Sequence, residues 1–357
     1  MLKNILFAVS LFFLAPAFGS EPVPSNDTNA TADAENSLLE SLMSEVDDFQ
    51  AYWSHRMRLL SSNIDQSIYT AFTDVNDTRP ASDSFFLMRW FNNYFIDQTY
   101  FDPTNQSYIR LIGTYGVGSK SESYSYADIR ARIKIPKSKE RLQIFIGDET
   151  KSGDELAAVA TDQDHSGIGL RYLRAYFKET LKTSVSVGIT SIDDPYIRAR
   201  MIYPLIEGEW LVQPMQTFRY SADDKFEEWT NFIIAKRLNE EGIAQLLLQR
   251  STREDERGMA YLAELSYQQV NRHQIGIKPY AALFGRTHTN NIVYGNGVVA
   301  EEGVYNYAVG VIWKRPVLRE YIFYQIHPGV QFHEQFDYEA DYVLRFSLEF
   351  FIGEVRN

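Results

Sequence analysis

The chain has 357 residues and a formal net charge of −12, from 35 basic and 47 acidic side chains. That acidity disfavours unspecific nucleic-acid binding, and the absence of cysteine removes disulfide scaffolds and all thiol chemistry. Aromatic content is 14%, with 23 Tyr and 23 Phe, which suits a β protein and, more narrowly, the aromatic girdles of a membrane barrel.

Met1-Leu-Lys-Asn4 is a short positive start, and residues 5–18 are almost wholly apolar. Small residues at Ala17 and Gly19 predict signal-peptidase cleavage before Ser20, giving a signal peptide over residues 1–19. The apolar run is too short for a comfortable transmembrane helix. Residues 20–36 are polar and acidic, and read as a disordered linker. Glycosylation sequons at Asn26, Asn29, Asn76 and Asn105 are read as chance products of Asn/Thr-rich sequence.

Ser37-Leu-Leu-Glu40 is a capping box. Leu39, Leu42, Val46, Phe49, Trp53, Leu60 and Ile64 then form one apolar stripe, predicting a helix that runs to around residue 72 before Asp77-Thr-Arg-Pro80 stops it. The stripe needs a surface: the periplasmic mouth of a barrel, its lumen, another copy, or a neighbouring segment. Phe86, Leu87, Trp90, Phe91, Tyr94 and Phe95 form a second aromatic face, suited to a membrane interface or to the long helix. Residues 37–105 therefore form a helical, aromatic region, either periplasmic or a plug.

From residue 106 the period changes from helical to two. In the last segment Tyr342, Leu344, Phe346, Leu348, Phe350 and Ile352 share one apolar face, while Val343, Arg345, Ser347, Glu349 and Phe351 share the other. The same alternation sets Ile129, Ala131, Ile133 and Ile135 against Arg130, Arg132 and Lys134, and sets Ile197, Ala199 and Met201 against Arg198 and Arg200. Further strands are predicted over residues 107–118, 141–148, 167–178, 183–190, 209–221, 225–237, 242–252, 259–270, 274–287, 304–314 and 319–333. Residues 167–178 and 225–237 carry polar residues on both faces, as bulged or mouth-spanning segments would. Short turn-like pieces at 136–140, 222–225, 239–242 and 271–274 join many of them.

The fold expected for residues 106–357 is thus all-β: a closed antiparallel up-and-down transmembrane β-barrel of about 14 strands, with 12 as the alternative count, behind an N-terminal helical segment. An even count puts both ends on one rim, and the two longer connections, 149–166 and 288–303, then fall on the other. The soluble rival is a two-sheet sandwich or lipocalin-like barrel, with the apolar faces inward.

Export signal, absence of cysteine, alternating strands and an aromatic-aliphatic last strand together resemble Gram-negative outer-membrane β-barrel proteins. The resemblance covers residues 1–19 and 106–353. It implies outer-membrane lipid around the barrel and insertion by the outer-membrane barrel-assembly machinery, which reads the terminal strand, here from Tyr342 to Phe350. That class commonly ends on an aromatic residue, whereas this chain continues to Glu354-Val-Arg-Asn357.

With the apolar faces toward lipid, the others line a lumen. Arg110, Arg130, Arg132, Lys134 and Arg345 are expected to become neighbours on closure, with Arg198 and Arg200 as a second basic cluster. One reading is a salt-bridge lattice with acidic partners such as Glu264 and Glu349. The sharper one is a basic wall selecting small anionic solutes. A third has the N-terminus plugging a basic lumen, since residues 21–55 hold eight acids and no Lys or Arg. The alternatives to a channel are a non-conducting scaffold or surface-binding barrel, and an outer-membrane lipase-type hydrolase, for which only Asp164-His165-Ser166 offers a candidate group. His327 and His333 share the inner face of one strand, too far apart for one metal; no metal or cofactor is expected.

Overall fold

The computed structural model describes residues 40, 43–56, 107–135, 142–147, 167–176, 181–191, 194–271, 274–289, 293–294 and 297–353. The chain divides into two units, residues 1–58 and 59–357. In the first, residues 43–56 are helical, with the Phe49 and Trp53 rings 6.0 Å apart one turn from each other and Arg56 Nε donating to Tyr52 Oη at 2.9 Å. The expected cap at Ser37 and the extension toward residue 72 lie outside the described residues, as do the signal peptide, linker, sequons, aromatic segment 85–101 and the last four residues.

The second unit is a ring of strands: β1 Tyr108–Gly118, β2 Tyr124–Ile135, β3 Leu142–Ile146, β4 Ile168–Tyr176, β5 Leu181–Ile189, β6 Pro195–Ile202, β7 Leu205–Glu207, β8 Trp210–Ser221, β9 Lys225–Asn239, β10 Gly242–Arg253, β11 Ala260–Val270, β12 Gly276–Arg286, β13 Gly303–Val317, β14 Arg319–His333 and β15 Ala340–Gly353. Sequential antiparallel pairing runs around the ring, which β1–β15 and β6–β8 close. β6 and β7 keep one register against β8, Ile202 opposite Met215 and Leu205 opposite Val212, so they are one strand interrupted at Pro204. Fourteen strands therefore form the wall. Closure leaves no unpaired edge, the condition for a sheet to sit in hydrocarbon.

Both ends of the barrel lie on one rim, the terminal rim. The strand ends joined by the β3–β4 and β12–β13 connections lie on the other, the loop rim. Side-chain burial is inverted relative to a soluble protein. Outward Ile129, Ile197 and Leu265 are 54%, 51% and 61% exposed, whereas inward Arg171, Arg198 and Gln268 are at 2%, 4% and 0%. A soluble sandwich would place the apolar set inside, so its orientation is excluded.

Tyrosines fill the gaps that glycines leave in the wall. Tyr261 covers Gly285, its direct partner across β11–β12, where an added Cβ would come within 2.1 Å of the ring. Tyr280 lies over Gly310 in the same way on the inner face. The segments with polar residues on both faces are ordinary strands rather than mouth-spanning pieces. β4 pairs along its length with β5, and β9 pairs with both β8 and β10, with a register shift only beside Gly242.

Candidate functional site

The inner wall is basic over one arc. Alternation on β6 turns Arg198 and Arg200 inward and Ile197, Ala199 and Met201 outward. Register then carries the basic character across strands. Arg198 stands opposite Arg219 on β8 and Ser186 on β5; Ser186 faces Arg171 on β4, Arg171 faces Gln143 on β3, and Gln143 faces Lys134 on β2. One rung thus brings the Cα positions of Lys134, Arg171, Arg198 and Arg219 into line. The neighbouring rung runs from Arg132 through Phe145, Gly169 and Gly188 to Tyr196.

Rings and hydroxyls hold the guanidiniums. Arg171 Cζ is 4.7 Å from the Phe145 ring centroid and Arg198 is 5.6 Å from it. Tyr196 lies 5.8 Å from Arg198 and 5.0 Å from Arg219, and Arg132 is 5.4 Å from Tyr108. Arg171 Nε donates to Ser186 Oγ and Arg200 Nε to Thr217 Oγ1, each at 3.2 Å. A ring face fixes the guanidinium plane while leaving its positive charge in place.

Toward the loop rim the charge is balanced. Arg219 reaches Asp194 at 3.3 Å, Asp224 at 2.7 Å and Glu227 at 2.6 Å, and Arg253 reaches Asp224 at 2.9 Å. Burial pushes the Asp194 carboxyl up, but the Asp223 amide, the Ser221 and Thr190 hydroxyls and the Arg219 charge outweigh it and hold the group below its ordinary range.

The remaining sequence-identified positions are distributed as follows. Arg110 and Arg130 are opposite one another; Arg130 Nε binds Asp128 at 2.6 Å and Arg110 Nε lies 3.4 Å from Glu349. Glu349 also pairs with Lys314, and Glu264 with Lys278 at 3.0 Å. Arg345 does not join Arg110. Its ladder partners are Gly116 and His327, while Arg110 faces Phe351. That is six residues along β15, or about 20 Å at 3.3 Å per residue. Alternation within a strand gives the face of a residue, but its height depends on the closing register. Sequence alternation does not single out Arg171 and Arg219 for the same reason: each is the only cation of its parity in its own strand, and only cross-strand register aligns them with Arg198.

The opposite arc carries its charges in pairs, Lys278 with Glu264 and Lys314 with Glu349, beside apolar side chains. Leu211, Ile233, Ile243, Leu247, Leu262 and Phe284 belong to one buried apolar cluster spanning β8 to β13. Tyr280 Oη is 2.8 Å from His327 Nε2, and His333 packs against the Tyr294, Tyr305 and Phe336 rings. Among the described residues no cluster of three His, Cys, Asp or Glu side chains is arranged to hold a metal. Asp164-His165-Ser166 and His273 lie outside the described residues.

No protein-family model matches the chain, and no curated relative matches its sequence. Solved structures similar to it include a loop-deleted OmpT, an outer membrane protein of Vibrio cholerae, at 7% identity and TM-score 0.43, covering 69% of this chain and 98% of that one. An anion-selective porin from Comamonas acidovorans gives 7% identity and TM-score 0.41 over 69% and 99%. OprB of Pseudomonas putida gives 6% identity and TM-score 0.40 over 78% and 100%.

Proposed function

We propose that this chain is an outer-membrane channel for small anionic solutes, drawn along the basic arc of its inner wall. The observation that carries the reading is the rung on which Arg171 and Arg198 align, with Arg200 and Arg132 on adjacent rungs. Arg219 shares that rung, but its charge is balanced by Asp194, Asp224 and Glu227. Cations held by rings and hydroxyls in a wall of low dielectric attract anions passing within a few ångströms and repel cations. The closed ring and its outward apolar face support placement in a lipid bilayer, with Tyr342 to Phe350 as the strand read by the assembly machinery. In planar bilayers under a salt gradient, the wild-type chain should show a reversal potential of anion-selective sign, and the double variant R198Q/R200Q should move it toward zero. Cation selectivity in the wild type would remove the proposal.

A second reading, a barrel that does not conduct, is favoured by solvent exclusion. Leu211, Ile233, Gln268 and Arg345 all face inward and are at most 1% exposed. Absence of any conductance from folded, inserted protein would support that reading over the channel.

A further inference from the structure

The outward face holds a polar network that a lipid-facing surface does not explain. Gln216 on β8, Thr230 on β9 and Arg250 on β10 are consecutive on one rung. Glu228 is the next outward residue of β9 toward the loop rim. Thr230 Oγ1 donates to Gln216 Oε1 at 2.7 Å, and Gln216 Nε2 donates to Glu228 Oε1 at 3.0 Å. Arg250 closes the circuit, with Nε donating to Thr230 Oγ1 at 3.1 Å and Nη2 to Glu228 Oε1 at 3.0 Å.

The network lies inside the apolar band. Outward Pro214, Phe232 and Leu248 precede it toward the terminal rim, and Phe218, Tyr220 and Phe226 follow it toward the loop rim. Among the described residues no other outward carboxylate–cation pair stands between strand ends in this way. Charged side chains on the lipid face of a barrel are unfavourable in proportion to their depth, and Arg250 remains half exposed, its side chain at 52%.

We infer that the outward face of β8–β10 is an interface with a second copy of this chain, related by a two-fold axis. The charge balance selects the occupant. Glu228 and Arg250 cancel, so the patch offers no net attraction to an anionic lipid headgroup. It presents both a carboxylate and a guanidinium, which is the self-complementary composition an isologous contact requires: Arg250 of each copy meets Glu228 of the other. Protein cover would also replace hydrocarbon around the network and remove the unfavourable exposure.

The chain contains no cysteine, so one introduced thiol reports one position. Leu248 is outward on β10 beside Arg250, and Leu344 is outward on β15, on a different part of the ring. Full-length Leu248→Cys and Leu344→Cys are treated in native membranes with a short bifunctional maleimide. The expected result is a crosslinked dimer from Leu248→Cys and none from Leu344→Cys, with the wild type running at twice the single-chain mass in mild detergent. In the Leu248→Cys background, Glu228→Leu with Arg250→Leu should abolish the crosslink while heat-modifiable migration shows the barrel still folded. A monomeric wild type with no crosslink at Leu248→Cys, a ring assembly in which Leu248→Cys fails to link to itself, or a tightly co-purifying glycolipid on a monomer would each overturn the inference.

Discussion

Lys278 on β12 and Glu264 on β11 form an ion pair of 3.0 Å inside the barrel, their side chains 3% and 6% exposed. Desolvation of both charges offsets much of their attraction, so the pair adds little net stability, yet each partner depends on the other. Lys278→Met should destabilise the barrel by about 3–5 kcal/mol by leaving Glu264 uncompensated. Adding Glu264→Leu should restore most of the loss. Denaturant midpoints in micelles, read from heat-modifiable migration, check both.

Gly310 is the floor on which Tyr280 lies. A Cβ there would come within 2.8 Å of Tyr280 Oη, which makes the hydrogen bond to His327. Gly310→Ala should therefore cost about 1–3 kcal/mol as the ring is displaced. In a Tyr280→Phe background the same substitution should cost less, because the hydrogen bond has already gone and the two effects are coupled. Additive midpoint shifts would show that the ring is held some other way.

Asp194, in the turn before β6, has a folded-state pKa below its ordinary value of 3.8. A depressed carboxylate contributes its full stabilisation above the unfolded value and loses it as pH falls through the folded one. The stability difference between wild type and Asp194→Asn should therefore be constant from neutral pH down to about 5 and shrink below about 4. Unfolding midpoints across that range test it; a difference independent of pH would contradict the assignment.

On the loop rim, Glu334 ties the β12–β13 connection to the turn after β14. Its carboxylate receives Arg286, Tyr294 Oη at 2.6 Å and the Glu301 amide at 3.2 Å. Glu334→Ala should release residues 287–302 without opening the wall. Faster limited proteolysis within that connection, with an unchanged barrel fragment, is the expected result.

The wall itself was legible because a period of two survives in nearly every strand, and chain order alone gives the neighbours of an up-and-down ring. Two kinds of information were not local. Register decides that Arg345 stands by His327 and not by Arg110, and sequence alternation within one strand cannot carry it. β9 read as irregular because Glu228 and Thr230 occupy its outward face. Their partners, Gln216 and Arg250, sit on the strands to either side. The departure from alternation marks a local network on an ordinary paired strand rather than the mouth-spanning segment it suggests.

The central claim is that the apolar faces of the strands point outward into hydrocarbon, and Val187 on β5 tests it most directly, being 49% exposed beside inward Ser186 at 1%. A nitroxide on Val187→Cys in proteoliposomes should be mobile, should collide freely with dissolved oxygen and should be protected from a water-soluble nickel chelate. A label at Val187→Cys that is immobile and shielded from oxygen, or open to the chelate, would mean that this face meets a packed core or water, and the barrel would be the wrong way round.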